Sequence, residues 1–180
     1  MNICVLAGNP KPGSRTLTLA ERLAALIGQS AGSCQLTTID LAEHAEHIFA
    51  WPSERMAALN AQVASCDLAI VASPTYKASY TGLLKGFLDR YPALGLRDVC
   101  AIPVMTGADK GHSMAPEVNL RPLLVELGAL VPTRGLYFET PAMHRLEEIL
   151  AGWLADNAAG VRQILLAAEH RAAGYAAGVR

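Results

Sequence analysis

The feature that most constrains the fold is a repeat of short apolar runs, each followed by a segment whose apolar residues recur at helical spacing. The first run, residues 2–8, is almost continuously apolar and ends in a Gly- and Pro-rich loop. Such a run is typical of a strand that helices cover on both faces of a parallel sheet. From Thr16 to Ile27 the apolar spacing becomes helical, and Gly28 is the expected helix end.

The same alternation continues along the chain. It predicts further strands over residues 34–41, 68–73, 98–105 and 129–137, and further helices over residues 54–65, 82–91, 113–127 and 143–159. Pro132 places the last strand at a sheet edge, because proline cannot donate to the ladder of a central strand. Residues 160–180 are rich in alanine and either continue as a helix or fray. Five strands alternating with helices predict one α/β domain with a doubly wound parallel sheet.

Composition disfavours several classes of partner. Hydrophobic residues make up 52% of the chain, but Gly, Pro and charged residues interrupt them, so no run approaches the roughly 20 apolar residues of a membrane span. With 15 basic and 16 acidic residues the net charge is −1, which provides no electrostatic footprint for nucleic acid. The first apolar run has no basic leader, so we expect a cytoplasmic protein. The four cysteines never form a C-x-x-C pair, and we interpret them as buried free thiols rather than metal ligands.

The loop of residues 8–16, GNPKPGSRT, connects the first strand to the first helix. A phosphate group fits there, because unpaired backbone N–H groups and the positive end of the helix dipole converge at a helix N-terminus. Ser14, Thr16 and Arg15 add hydroxyl and guanidinium donors. Two familiar nucleotide motifs are incomplete: Ser14 replaces the lysine of a P-loop, and Pro10 replaces the second glycine of the dinucleotide fingerprint. The alternative is a plain turn in which Ser14 caps the helix.

Two further loops follow the third and fourth strands, at the edge of the sheet where ligands are expected. Residues 73–85 form a stiff loop, bounded by a proline and a glycine, that carries Tyr76 and Tyr80. This loop suits a flat aromatic ligand, although the two tyrosines equally suit covering the helix beneath. Residues 106–112 contain two glycines, which let a ring system approach the backbone or simply form a Gly-rich connection. For His112 a structural role and an acid–base role are both open.

Taken together, the three loops resemble those of the NADPH-dependent FMN reductase family, most closely its alkanesulfonate-assimilation flavin reductases. The strongest match is PTYKASYTGLLKGFLD, residues 74–89, which looks like the family's flavin-ring loop and following helix, and GNPKPGSRT is similar to its phosphate loop. The similarity runs from Ile3 to about Phe138. It implies a flavodoxin-like fold, a homodimer or homotetramer, and FMN with NADPH or NADH as cofactors. The chain departs from the alkanesulfonate reductases at Val118, where they carry a tyrosine linked to a π-bulge.

The resemblance assigns a set of residues to the cofactor. The candidate cofactor-binding residues are Asn9, Lys11, Ser14, Arg15, Thr16, Pro74, Thr75, Tyr76, Lys77, Thr106, Gly107 and His112. By resemblance, Ser14, Arg15 and Thr16 hold the FMN phosphate, residues 74–77 line the isoalloxazine ring, and the loop from Thr106 closes its other side. Hydride passes from the nicotinamide to the flavin, so no side chain is assigned a catalytic role.

The function implied by the resemblance is that of an NAD(P)H-dependent FMN reductase that supplies reduced flavin to a flavin-dependent monooxygenase. Three alternatives stay open: a quinone or azo reductase that keeps FMN bound, a flavodoxin-type electron carrier, and a binding module without flavin. Flavodoxin-type electron carriers are usually strongly acidic, so the net charge of −1 disfavours that alternative. The sequence leaves open whether FMN is a released substrate or a bound prosthetic group.

Overall fold

The structure, a computed structural model, describes residues 1–176 of the chain. Its centre is an all-parallel sheet of five strands in the order β2-β1-β3-β4-β5. The strands are β1 (Asn2–Ala7), β2 (Gln35–Asp40), β3 (Leu68–Pro74), β4 (Cys100–Gly107) and β5 (Leu136–Glu139). This strand order reverses direction between β1 and β3. It confirms the doubly wound, flavodoxin-like α/β fold that the sequence predicts.

Helices cover both faces of the sheet. Within residues 1–176, α1 (Arg15–Gln29), α5 (Leu146–Asp156) and α6 (Ala158–Ala176) cover one face, and α2 (Glu54–Ser65), α3 (Gly82–Leu88) and α4 (Arg121–Glu126) cover the other. In β3, Leu68, Ile70 and Ala72 pack with the first group, whereas Ala69 and Val71 pack with the second. All of β3 is buried, because a central parallel strand has helices on both faces. This burial accounts for its continuous apolar run.

The strand predicted over residues 129–137 is wrong in its extent. An isolated bridge from Leu130 precedes the regular pairing with β4, which begins only at β5. The Arg121 guanidinium donates to the carbonyl oxygens of Val131 and Thr133, so these groups are bonded to the helix instead of a neighbouring strand. The proline between them has no N–H to offer the sheet. β5 is nevertheless the edge strand that this proline predicts.

The helix predicted over residues 113–127 is not one continuous α-helix. A π-helical segment, Pro116–Leu120, precedes α4, and the first N–H of α4 donates to the Pro116 carbonyl five residues earlier. Pro122 explains this wider turn. In a regular α-helix its ring would collide with the Val118 carbonyl, and it has no N–H to donate there. The π geometry therefore forms without the tyrosine that accompanies it in the alkanesulfonate reductases.

Smaller corrections concern the ends of elements. α3 ends at Leu88 instead of residue 91, and β4 begins and ends two residues later than predicted. The helix predicted over residues 143–159 is two helices, α5 and α6, that meet at Asn157. For the C-terminal segment, where the sequence left a helix or a frayed end open, α6 is helical as far as Ala176. The last part of that segment, residues 177–180, lies outside the described residues.

Three of the cysteines, Cys4, Cys66 and Cys100, are buried free thiols as predicted, and burial raises the pKa of Cys4 to about 12. The prediction is wrong for Cys34, which is exposed because it lies in the turn before β2, outside the sheet. No group of three or more His, Cys, Asp or Glu side chains within residues 1–176 is arranged to hold a metal ion. In the same part of the chain, no helix combines the length and apolarity needed to cross a membrane.

Candidate functional site

A cleft of about 530 Å³ lies at the carboxyl edge of the sheet, beside the switch point between β1 and β3. The loops that follow β1, β3 and β4 form its walls, and the first residue after β5 completes it. Its lining residues are Asn9, Lys11, Gly13, Ser14, Arg15, Thr16, Pro74, Thr75, Tyr76, Thr106, Gly107, Ala108 and Thr140. The structure therefore brings together all but two of the candidate residues, Lys77 and His112. Gly13, Ala108 and Thr140 are additions that the sequence did not single out.

The N-terminus of α1 forms one wall of the cleft. Ser14 caps this helix, since its Oγ accepts the Leu17 N–H at 3.2 Å. The N–H groups of Arg15 and Thr16 stand in the first turn, have no acceptor within the helix, and add to its positive end. The Arg15 and Lys11 side chains are exposed at the rim, and the lining contains no acidic side chain. Capping and anion binding are compatible, because the Ser14 hydroxyl accepts one hydrogen bond and still has its proton to donate.

Asp40, buried at the end of β2, holds the loop after β1 in shape. Its Oδ2 accepts the Gly13 N–H at 3.0 Å, and the φ of +60° at Gly13 is a conformation that glycine adopts readily. Asn9 Oδ1 accepts the Lys11 N–H at 2.9 Å. These bonds consume two backbone donors of the loop, so the donors left for an anion lie at the start of α1. Sequence reasoning misses Asp40. The feature that could have indicated it is a single carboxylate at the end of β2, the strand that pairs with β1.

Two threonines connect the walls of the cleft. The hydroxyl oxygens of Thr16 and Thr106 lie 2.8 Å apart, and Asn9 Nδ2 donates to Thr16 Oγ1 at 3.2 Å. Both threonine side chains are buried. The Thr16 hydroxyl therefore joins the start of α1 to the end of β4, whereas the resemblance assigned it to the phosphate. The backbone N–H of Thr16, at the head of the helix, has no acceptor within the helix.

The loop after β3 forms the opposite wall. The Thr75 N–H donates to the Thr106 carbonyl at 2.7 Å, which extends the pairing of the two strands, and Tyr76 is 53% exposed at the rim. Thr75 Oγ1 is buried near the Tyr137 hydroxyl and makes no hydrogen bond of good geometry in the described part of the chain. The neighbouring Tyr137 hydroxyl donates to the Asp109 carbonyl at 2.6 Å. Because an unpaired buried hydroxyl costs free energy, a polar ligand in the cleft would satisfy it.

Lys77 lies outside the cleft lining because the chain turns sharply after Tyr76. Tyr76 and Ser79 exchange both backbone hydrogen bonds, at 2.8 and 3.1 Å. Between them, Lys77 and Ala78 have φ values of 51° and 69°. Positive φ at both central residues is typical of a type I′ turn. The Lys77 side chain therefore stands on an exposed turn next to the cleft wall, not on the wall itself.

Gly107 ends β4 at the wall of the cleft. A Cβ at this position would overlap the Tyr137 hydroxyl, so a side chain has no room there. Burial raises the pKa of Tyr137, which keeps its phenol protonated as a hydrogen-bond donor. His112 ends a short 3-10 turn, Lys110–His112, and is exposed. This turn carries the His112 side chain away from the cleft lining, so the structure shows no contact that supports an acid–base role.

A second cavity of similar size, about 550 Å³, lies between α2 and the end of α3. Its walls are mainly apolar. The Arg90 guanidinium lies over the Trp51 ring, 4.2 Å from the ring centroid. An anionic ligand there would meet the Glu54 carboxylate, and Arg90 is already engaged. The cleft at the sheet edge, with two exposed cations and a helix N-terminus, is the better site for a phosphate.

Comparison with known proteins agrees with this geometry. A family model described as NADPH-dependent FMN reductase matches residues 1–142, which span all three loops of the cleft. The chain belongs to the NADPH-dependent FMN reductase family. This match confirms the family resemblance inferred from the sequences of the three loops. As a member of this family, the chain is an NAD(P)H-dependent FMN reductase, an oxidoreductase with FMN and NADPH or NADH as its cofactors.

Individual relatives agree with the family match. The FMN reductase (NADPH) of Pseudomonas aeruginosa is 34% identical over 141 residues, which cover 75% of this chain and 74% of that protein. The NADH-dependent FMN reductase SfnE of Pseudomonas putida is 30% identical over 174 residues, with coverages of 94% and 89%. Among solved structures, the apo form of the NADH:FMN oxidoreductase EMOB has a TM-score of 0.77 and 29% identity, and the match covers 92% of this chain and 88% of that one.

The residues of the cleft fit FMN. The volume of about 530 Å³ lies within the roughly 300–1,000 Å³ of small-molecule sites. Lys11, Arg15 and the start of α1 suit a phosphate group. The unpartnered Thr75 hydroxyl suits a polar ring edge, and Gly107 contributes backbone to the wall of the same cleft.

Proposed function

We propose that the cleft binds FMN with its phosphate at the N-terminus of α1 and its ring between the loops after β3 and β4. One observation carries the proposal: a cationic helix N-terminus and a buried hydroxyl without a partner, Thr75 Oγ1, line the same cleft. When bound, the flavin accepts a hydride from NAD(P)H. In this arrangement one end of the cleft binds the phosphate by charge, and the other end contacts the flavin ring.

The side chains of the cleft bind and orient the flavin and do not exchange protons with it. The Ser14 hydroxyl and the first N–H groups of α1 donate to the phosphate, and the Arg15 guanidinium adds a charge-assisted hydrogen bond. Tyr76 packs at the edge of the ring, and Thr75 donates from its hydroxyl to a ring acceptor. Gly107 adds backbone to the wall of the cleft beside the ring. Rate enhancement then comes from the orientation of the two cofactors, which needs no acidic side chain.

The phosphate assignment is tested with the Arg15→Ala variant. A charge-assisted hydrogen bond contributes about 1.5–3 kcal/mol, so FMN should bind about tenfold to more than a hundredfold more weakly. Riboflavin, which lacks the phosphate, should bind nearly as it does to the unmodified protein. Arg162→Ala, at an exposed position on α6, is the matched control and should leave both affinities unchanged. Fluorescence titration measures all four affinities, and equal weakening of both flavins by Arg15→Ala would refute the assignment.

We also propose that reduced FMN leaves the enzyme and serves a separate flavin-dependent monooxygenase. Three rim residues, Lys11, Arg15 and Tyr76, are exposed, which supports exchange with solvent. The π-helical segment that accompanies flavin release in the resembling subgroup is also present here, with Val118 in place of tyrosine.

Calorimetric titration of flavin-free protein tests this release. A dissociation constant near micromolar, about −8 kcal/mol, permits exchange during turnover, whereas nanomolar binding, about −12 kcal/mol, implies a retained group. We expect the micromolar range. Stoichiometric FMN after extensive dialysis, together with ping-pong reduction of quinones, would contradict release and favour an FMN-bound quinone or azo reductase.

Assembly and location complete the proposal. We expect a homodimer or homotetramer, supported by large exposed apolar side chains such as Phe49, Trp51 and Val118, which are 80%, 69% and 59% exposed. Light scattering during size-exclusion chromatography measures the mass, and a monomer at micromolar concentration would contradict the expectation. We propose a cytoplasmic location because all four cysteines are free, as is usual in a reducing compartment. Fractionation of the native cells tests it.

A further inference from the structure

We propose that Asn119 is a positioning residue for the ring loop, residues 74–81, and that the π-helical segment places it there. The proposal rests on the seat of the flavin ring proposed above, and it extends that seat to a residue outside the cleft lining. Asn119 Nδ2 donates to the Ala78 carbonyl at 2.9 Å. Because a carbonyl only accepts, the side-chain amide must present its NH₂ group to the loop.

The turn at Lys77 and Ala78, whose carbonyl accepts this bond, has an unfavourable backbone conformation. Lys77 and Ala78 both have positive φ, a region that residues with a Cβ seldom enter. Two-residue turns of this type usually contain Asn-Gly or Gly-Gly. Backbone strain of this kind persists only where surrounding contacts enforce it, and it concentrates at ligand sites. The Asn119 amide supplies such a contact from outside the loop.

Asn119 reaches the turn from a firmly held platform. The π-helical segment packs against β4, with Pro116 and Leu120 buried and Asn119 half-buried between them. Within this segment, Glu117 accepts the Gly135 N–H at 2.5 Å and pairs with the Arg121 guanidinium at 2.6 Å. These contacts fix the segment to the start of β5, so the Asn119 amide is held in place before the flavin binds.

The wider turn also determines which residue faces the ring loop. Successive residues of an α-helix are rotated by about 100°, so one extra residue in a turn changes the face on which its neighbours lie. Pro122 requires that extra residue, as described above. The sequence thus links a proline in α4 to the position of an amide that bonds the Ala78 carbonyl.

The consequence for flavin binding is specific to the ring. The turn ends the wall formed by Pro74, Thr75 and Tyr76, so releasing it disturbs ring contacts and leaves the phosphate end at α1 unchanged. Loss of the hydrogen bond from Asn119 should therefore lower the affinities for FMN and for riboflavin by the same factor. This pattern differs from that of Arg15→Ala, which acts on FMN alone.

The test is a double-mutant cycle on flavin affinity. Asn119→Ala removes one hydrogen bond and should weaken both FMN and riboflavin roughly three- to tenfold. Ala78→Gly relieves the positive φ, since glycine enters this region readily, so Asn119→Ala with Ala78→Gly should recover most of the lost affinity. Ala78→Gly alone should change the affinities little. Glu126→Ala, exposed on α4, which continues from the π-helical segment, is the control for a nearby change and should bind both flavins normally.

Each outcome of the cycle decides the proposal. Equal weakening of both flavins with rescue by Ala78→Gly supports it. Unchanged affinities, weakening of FMN alone, or equal weakening without rescue would each overturn it. Should Asn119→Ala reduce the folded fraction in a thermal melt, Asn119→Leu replaces it in the same test, because it removes the N–H donor at a similar side-chain volume and adds no charge. Failure of the unmodified protein to bind either flavin would instead refute the proposed cleft, which separates the two claims.

Discussion

Replacing Gly107 by alanine should disturb both the stability of the protein and its affinity for flavin. The new Cβ would overlap the Tyr137 hydroxyl, which donates to the Asp109 carbonyl at 2.6 Å. Overpacking costs about 1–3 kcal/mol, and loss of the Tyr137 hydrogen bond adds about 0.5–1.5 kcal/mol. A total of roughly 1.5–4.5 kcal/mol lowers the midpoint of thermal unfolding by about 3–18 °C in a chain of this length. Because Gly107 lines the cleft, FMN and riboflavin should both bind more weakly.

The assay is a thermal melt combined with titration of both flavins. Gly152→Ala is the matched control: a Cβ there has open space within α5, so it should stabilise the protein by about 0.5–1 kcal/mol and leave flavin binding unchanged. Tyr137→Phe added to Gly107→Ala removes the overlapping atom, but a ring carbon stays 2.8 Å from the new Cβ, so the rescue should be partial. An unchanged melt and unchanged flavin affinity for Gly107→Ala would refute the reasoning.

Two further predictions concern charge and thiols. The hydrogen bond from Arg121 holds the pKa of the Glu117 carboxyl below its usual range, so its stabilisation is complete above the ordinary carboxyl pKa of about 4.3 and is lost as the pH falls through the lowered folded-state value. Glu117→Gln should lower the unfolding midpoint at pH 7 and flatten its acid dependence; melts from pH 7 to pH 3 measure this, and parallel curves for the two proteins would contradict it. Alkylation of the exposed Cys34, or addition of a chelator, should leave FMN reduction by NAD(P)H intact. Activity assays check this, and loss of activity with the chelator would overturn the interpretation of the cysteines.

The sequence predicted the layered part of the fold because burial shapes it directly. β3 is covered on both faces, and its apolar run is continuous for that reason. The strand ends then place three loops at one edge, which is why most of the candidate residues meet in one cleft. Prediction failed where side chains override local pattern. The Arg121 guanidinium bonds the Val131 and Thr133 carbonyls, and no periodicity in the sequence reports such a contact.

The site was predicted less completely than the fold for a similar reason. The placement of Lys77 depends on a turn with two positive φ values, although its residues are not the Asn and Gly that usually signal one. Asp40 and Asn119 act through single long-range hydrogen bonds, to the Gly13 N–H and the Ala78 carbonyl. Sequence spacing carries no information on such pairs. For the π-helical segment, the sequence offers Pro122 as a physical signal, because its missing N–H interrupts an otherwise helical pattern.

The central claim is that the cleft at the sheet edge holds FMN by its phosphate at the start of α1. A crystal structure of the protein grown with FMN tests this most directly. The predicted result is a phosphate within hydrogen-bonding distance of Ser14 and Arg15, with the ring beside Thr75 and Gly107. Flavin bound instead in the cavity between α2 and α3, where the Arg90 guanidinium lies over the Trp51 ring, would contradict it.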